Sequence, residues 1–184
     1  MKATEELKSE HRVIERVLGS LELAAGKLEQ GQAVRPAFFL EAADFIKNFA
    51  DGCHHHKEEG VLFVKMVECG MPKEQGPIAV MLDEHEQGRA FTRAMREAAE
   101  KLVAGDRAAE GAVIKNARGY AALLRQHISK EDNILFNMAD RVIPPQEHDA
   151  VAAAFAHVEH HETGPGVHQK YLALAEALER EAKQ

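Results

Sequence analysis

Apolar residues recur at intervals of three and four along nearly the whole chain, and no stretch sustains the alternation of a strand. Thr4 with Leu7, Ile14, Leu18 and Leu21 opens a helix over about residues 3–29. Gly31, Pro36, Gly70-Met71-Pro72, Gly76-Pro77, Gly105-Asp106, Pro144-Pro145 and Gly164-Pro165-Gly166 punctuate the rest. They leave helices predicted at about 36–68, 78–104 and 108–140. Four long helices joined by short turns specify an antiparallel, up-down-up-down all-α bundle over 1–142. Two further amphipathic stretches, at about 145–161 and 166–182, carry Val151, Phe155 and Val158 and then Tyr171, Leu174 and Leu178. They form a C-terminal helical extension over 143–184, packed on the outside of the bundle.

The two halves of the bundle repeat each other. His54-His-His-Lys-Glu58-Glu-Gly-Val-Leu-Phe63 in the second helix aligns with His127-Ile-Ser-Lys-Glu131-Asp-Asn-Ile-Leu-Phe136 in the fourth. Glu10-His11 in the first helix aligns with Glu84-His85 in the third, and the upstream His precedes the downstream one by 43 residues in one half and 42 in the other. The chain therefore reads as two similar helical hairpins.

His and Glu at i and i+4 share a helix face, so His54 with Glu58 and His127 with Glu131 can each grip one centre. Counted from the hairpin turns at ~1.5 Å per residue, His11, His54, His85 and His127 fall in one layer of the bundle. Six ligands thus converge: His11, His54, Glu58, His85, His127 and Glu131. Four imidazoles and two carboxylates exceed what one four-coordinate ion needs, whereas two carboxylates can bridge a pair of ions. Tyr120, Leu123, Leu124, Ile134, Leu135 and Met138 on the fourth helix are expected to give the ions an apolar jacket. His55 with Glu59 repeats the four-residue spacing, so a register slip of one competes. His54 with Glu58 is preferred because it alone keeps the offsets to Leu-Phe seen in the fourth helix.

This pattern resembles the hemerythrin-like family, in its bacterial branch with the HHE cation-binding domain. The resemblance covers about residues 3–140 and rests on Glu10-His11, Cys53-His-His-His-Lys-Glu-Glu, Asp83-Glu-His85 and His127-x-x-x-Glu131. It implies two iron ions with an oxo or hydroxo bridge, Glu58 and Glu131 as bridging carboxylates, and a vacant position for dioxygen or nitric oxide. Oxygen-carrying hemerythrins place a further His where this chain has Met81, and a final carboxylate at five residues, where Asp132 stands beside Glu131. The implied role moves accordingly from carriage toward sensing, scavenging or storage of a small ligand. The alternative is an enzyme acting on peroxide or in repair of damaged iron–sulfur clusters. Ferritin-like bundles use Glu-x-x-His and do not match. Spacing alone does not select iron, because zinc outranks Fe(II) in affinity.

Composition narrows the partners. Of 184 residues 45% are hydrophobic and 5% aromatic, and the net charge of −7 comes with no basic stripe, which excludes nucleic acid as the main partner. No run approaches 18 apolar residues and the N-terminus lacks an apolar signal core, so no membrane partner and a cytoplasmic location are expected. Cys53 and Cys69, 16 residues apart on one helix, stand ~24 Å apart, beyond disulfide reach.

Phe38, Phe45, Phe49 and Phe63 lie nearly opposite His54 on a straight helix, so either Gly52 relaxes the helix or another layer covers that face. The C-terminal helices or a homodimer partner are the candidates for that layer, and an output role would need a further protein partner. Tyr120 stands two turns before His127, either bonding a metal-bound ligand or serving as a core residue. His157 and His161 in the tail read as a solvated pair, and His168 with Tyr171 as a cap over the bundle end.

Overall fold

A computed structural model describes residues 2–164 and 166–184, so Met1 and Pro165, the centre of the last predicted break, lie outside the described residues. The helix α1 (Ala3–Glu29) is followed by a continuous rod over 37–68 that starts as α2 (Ala37–Phe45) and ends as α3 (Phe63–Glu68). Then come α4 (Pro77–Val103) and the fourth long helix of the bundle, α5 (Glu110–Lys130) running on into α6 (Phe136–Val142). The helix α7 (His148–His157) and the helix α8 (Val167–Ala182) complete the fold. The two hairpin turns close alike. Gly31 (φ +72°) and Gly105 (φ +95°) take the left-handed position, and the next amide reaches back to Lys27 O and Lys101 O, which satisfies carbonyls the helix end would orphan.

The sequence suggested a uniform α-helix for the rod over 37–68, the second rod helix of the bundle, and the structure differs. This rod is π-helical over Ile46–His55 and again over Glu58–Leu62. The fourth helix has a π turn at Glu131–Leu135, the position that corresponds to Glu58–Leu62. A π turn widens the helix, so neighbouring side chains diverge less than the ~100° of an α-helix. Gly52 lies within the longer stretch, where an added Cβ would stand 3.1 Å from the Lys47 carbonyl oxygen. The turn at Glu131–Leu135 also corrects the expected jacket: Ile134 faces solvent, while Ile128 and Phe136 are buried beside the site.

Two apolar cores form, one at each end of the bundle. The larger contains Ile14, Leu21, Phe38, Phe49, Met95 and Leu124. The smaller contains Leu7, Phe63, Met66, Met81, Leu135 and Phe155. The His and Glu layer lies between them. The helix α8 packs against both α1 and α2, and its Tyr171, Ala175 and Leu178 belong to the larger core. Tyr171 meets Phe45 with ring centroids 6.3 Å apart, and His168 meets Phe49 at 5.2 Å. The phenylalanines at 45 and 49 are therefore covered by this chain's own C-terminal helix, and the π stretch re-aims them as well. Cys53 is buried and Cys69 partly buried, both as free thiols. Among the described residues no helix is long and apolar enough to cross a membrane.

Candidate metal centre

All six residues picked out by spacing meet in the middle layer, and each is buried to 1% exposure or less. They meet as two overlapping sets in which every ligand atom lies within 4.8 Å of the others: His11, His54, Glu58 and Glu131, and His55, Glu58, His85 and His127. Glu58 spans the two, with Oε1 3.4 Å from His54 Nε2 and Oε2 3.4 Å from His85 Nε2. Glu131 Oε2 spans them again, 3.2 Å from His11 Nε2 and 3.3 Å from His127 Nε2.

His55 is the residue that sequence reasoning treated as a rival to His54. The structure brings both inward, because the π-helical stretch ending at His55 narrows the angle between neighbours. The fourth helix is α-helical at this level and carries Ile128 at the matching position. The only written signal was the run of three His just after Gly52; His56, the third, is exposed.

Four of the imidazoles are oriented by carboxylates on Nδ1, in a pattern that follows the duplication. Within hairpins, Glu10 holds His54 at 2.8 Å and Glu84 holds His127 at 3.0 Å. Between hairpins, Asp132 holds His11 at 2.7 Å and Glu59 holds His85 at 2.7 Å. Each neutral ring then donates from Nδ1 and aims the Nε2 lone pair at the centre. Asp51 stands 3.5 Å from His55 Nδ1. The roles of Glu10 and Glu84, and of the acids directly after Glu58 and Glu131, were invisible to spacing arguments because their partners lie on other helices.

Cations fix these carboxylates in turn. Lys57 Nζ donates to Glu10 at 2.6 Å, Glu6 at 2.7 Å and Glu159 at 3.2 Å, and Lys130 donates to Glu84. Arg12 pairs with Asp132, and Arg89 with Glu59 at 2.6 Å and Asp51 at 2.7 Å. The lysine of each His-x-x-Lys-Glu copy thus acts through the acid preceding the upstream His.

Electrostatics agree with a site built for cations. Burial pulls the His11 imidazole down, but contact with Asp132 and Glu131 and the charge of Glu58 outweigh it and raise its pKa to about 9. Burial likewise opposes the carboxylates around His127, whose pKa also ends at about 9. Burial holds His54 and His55 well below the ordinary value, and burial with the nearby Glu131 charge pushes Glu58 well above its own.

The remaining polar atoms test whether metal fits. His11 Nε2, His54 Nε2 and both oxygens of Glu58 and Glu131 are buried without an aligned hydrogen bond. A buried polar atom left unsatisfied costs ~1–3 kcal/mol, more when charged. Six such atoms facing one centre call for cationic partners, and nitrogen with carboxylate oxygen is a donor set for divalent transition ions.

One face of the site opens outward. A cavity of about 270 Å³ runs between the second rod helix and α4, and its lining includes His55, His85, Gly88 and Tyr120. The hydroxyl of Tyr120, a residue left open between ligand contact and core, is buried without a hydrogen-bond partner among the described residues, and burial pushes its pKa far up. His157 and His161 of the tail are exposed, with rings stacked 4.7 Å apart.

The chain matches the family model described as the Hemerythrin HHE cation binding domain over residues 2–139. It is 26% identical over 179 residues to an uncharacterized protein of Mycobacterium tuberculosis (strain ATCC 25618 / H37Rv), and equally to one of Mycobacterium bovis (strain ATCC BAA-935 / AF2122/97). Each alignment covers 97% of this chain and 69% of the relative. No solved structure matches the chain significantly.

Proposed function

The chain belongs to the hemerythrin HHE cation-binding family, and from that premise we propose that it holds two iron ions and binds dioxygen or nitric oxide at one of them for sensing, scavenging or storage. The six orphaned nitrogen and oxygen atoms around a single buried centre carry this reading. In it, His11 and His54 would hold one ion and His55, His85 and His127 the other, with Glu58 and Glu131, which lie beside histidines of both groups, available to both. An iron pair supplies redox-active metal with an open position for a small ligand.

The chain's own residues do the rest. Glu10, Glu59, Glu84 and Asp132 hold four imidazoles at Nδ1 and fix their tilt before any metal arrives, which lowers the ordering cost of binding. Phe136 stacks on His11 at 5.4 Å and Phe63 on His85 at 6.2 Å, and these rings close the layer from below. The cavity is lined by His55 and His85 but not by His11 or His54, so a ligand entering there meets the second set of donors.

Anaerobic reconstitution followed by air exposure tests the proposal. Two iron ions per chain and a new near-ultraviolet charge-transfer absorption are expected, and His54→Ala or Glu131→Ala abolishes the absorption. Native protein that takes up no transition metal, or variants with unchanged spectra, would overturn the assignment. Persistence of the spectrum after air exposure marks a binding protein, and decay within seconds marks an enzyme.

A further inference from the structure

The cavity over the His55 and His85 side is much larger than a diatomic ligand needs. Its 270 Å³ compares with ~30 Å³ for one water, and it falls just short of the ~300 Å³ at which sites for drug-sized molecules begin. Its chemistry changes along its depth. Ile46, Gly88 and Thr92 give apolar walls, and the Thr92 hydroxyl is already used on Gly88 O at 2.9 Å. Tyr120 also lines it, and its buried hydroxyl has no hydrogen-bond partner among the described residues. Lys47, Arg93 and Arg96 also line it; Lys47 and Arg93 have no ion-pair partner among the described residues, and Arg96 lies 3.8 Å from Asp44. Asp51, the acid in the lining, is taken up by Arg89. In a chain of net charge −7, two basic side chains without an ion-pair partner among the described residues and a third held only by a long contact to Asp44, all at one opening, are not an average sample of the surface.

We propose that this cavity binds a small organic carboxylate, its anionic end held by Lys47, Arg93 and Arg96 and its body lying along Ile46 and Gly88 toward the metal centre. The Tyr120 hydroxyl donates a hydrogen bond to an acceptor atom near the ligand's inner end. The ligand class deepens the di-iron reading and rests on it: the organic anion occupies the approach to the ion held by His55, His85 and His127, as substrate or as gate.

The probes are 5-oxohexanoate, its amide 5-oxohexanamide, hexanoate and inorganic phosphate, titrated by calorimetry and near-ultraviolet absorption into chain carrying two iron ions. One 5-oxohexanoate per chain is expected, with a shift of the metal-centred absorption. The amide binds about tenfold more weakly, the size expected for losing a charge-assisted hydrogen bond. The double substitution Arg93→Glu with Arg96→Glu weakens the acid by about tenfold or more at unchanged iron content, and Tyr120→Phe erases its preference over hexanoate. Equal binding of acid and amide, or no response to charge reversal, overturns the proposal. So does phosphate that binds as tightly as the oxo acid, which reduces the opening to a surface anion patch. A chain that takes up no metal yet binds the acid in the same charge-dependent way sinks the di-iron reading and leaves the cavity assignment standing.

Discussion

Lys57 and Lys130 occupy the same place in the two repeated motifs, and this makes them a matched experiment on burial. The Lys57 side chain is fully buried and meets three carboxylates, whereas the Lys130 side chain is 36% exposed and meets one. Replacing Lys57 by Met keeps the hydrocarbon stem beside Phe155 and removes the charge. Breaking a buried ion pair from one side costs about 3–5 kcal/mol. Of its partners only Glu10 is nearly inaccessible, with 5% of its side chain exposed, while Glu6 and Glu159 retain 36% and 23% and can rehydrate. The lower end, about 3 kcal/mol, therefore applies. For a chain of this size that is a fall of ~6–12 °C in Tm. Lys130→Met loses a partly exposed pair worth about 1 kcal/mol at most. Thermal unfolding of the metal-free chain isolates this difference, because bound metal would add its own stabilisation. Equal shifts for the two variants, or a larger one for Lys130→Met, would refute the reasoning.

Other outcomes follow from the same geometry. Metal uptake at pH 7 should release at least two protons, from His11 and His127, whose pKa values in the metal-free chain are about 9; calorimetry in buffers of different ionisation enthalpy reads the number, and zero release contradicts the electrostatic account. In the metal-free chain these raised values contribute stability that is complete below the ordinary 6.5 and is lost as the pH rises through about 9. Each shift corresponds to about 3 kcal/mol, and the two do not add because both rings face Glu131. His54 and His55, held low, act oppositely and contribute above 6.5. Urea unfolding of metal-free protein should thus show lower stability at pH 9.5 than at pH 6.5, and a flat profile speaks against it. His55→Ala should cut bound iron from two toward one per chain by elemental analysis, and an undiminished content would remove His55 from the ligand set. Glu84→Gln should weaken metal affinity about 10–100-fold, read by competition with a chelator, while the helical circular dichroism stays unchanged.

The bundle was legible because helix period, breakers and hairpin lengths all act locally, and the six-residue layer was legible because i, i+4 spacing and height along a helix are also local quantities. The place where the reading fell short is the second rod helix. A strict α-helix forces a choice between His54 and His55, and only the switch to i+5 hydrogen bonding lets both face inward. The same cause misplaced Ile134, which a uniform α-helix would have turned to the core. Glu59 and Asp132 pointed in the right neighbourhood but with the wrong meaning. Their contacts run between hairpins, to His85 and His11, and no single-helix pattern contains them. The position of α8 against α1 and α2 depends on which apolar faces are left over once four helices have packed, which is a three-dimensional residue of the sequence rather than a motif.

The departures from internal symmetry gather around one helix. The second rod helix has the extra π stretch, the fifth imidazole, the fully buried lysine and one wall of the cavity that reaches His55 and His85, while its counterpart has Ile128 and a partly exposed Lys130. The C-terminal segment covers that same helix: Phe155 and Glu159 enclose Lys57, and α8 lies over Phe45 and Phe49. These features depend on one another. A buried ammonium at position 57 is tolerable only with carboxylates on every open side, and Glu159 comes from the extension. Lys57 in turn sets Glu10, and Glu10 sets His54. The extension therefore reaches the metal layer through two ion pairs and one hydrogen bond, and a disturbance of residues 155–168 should register first at His54, on the side of the centre away from the cavity. One half of the duplication keeps the simple pattern, and the other departs from it on the side where the cavity reaches His55 and His85.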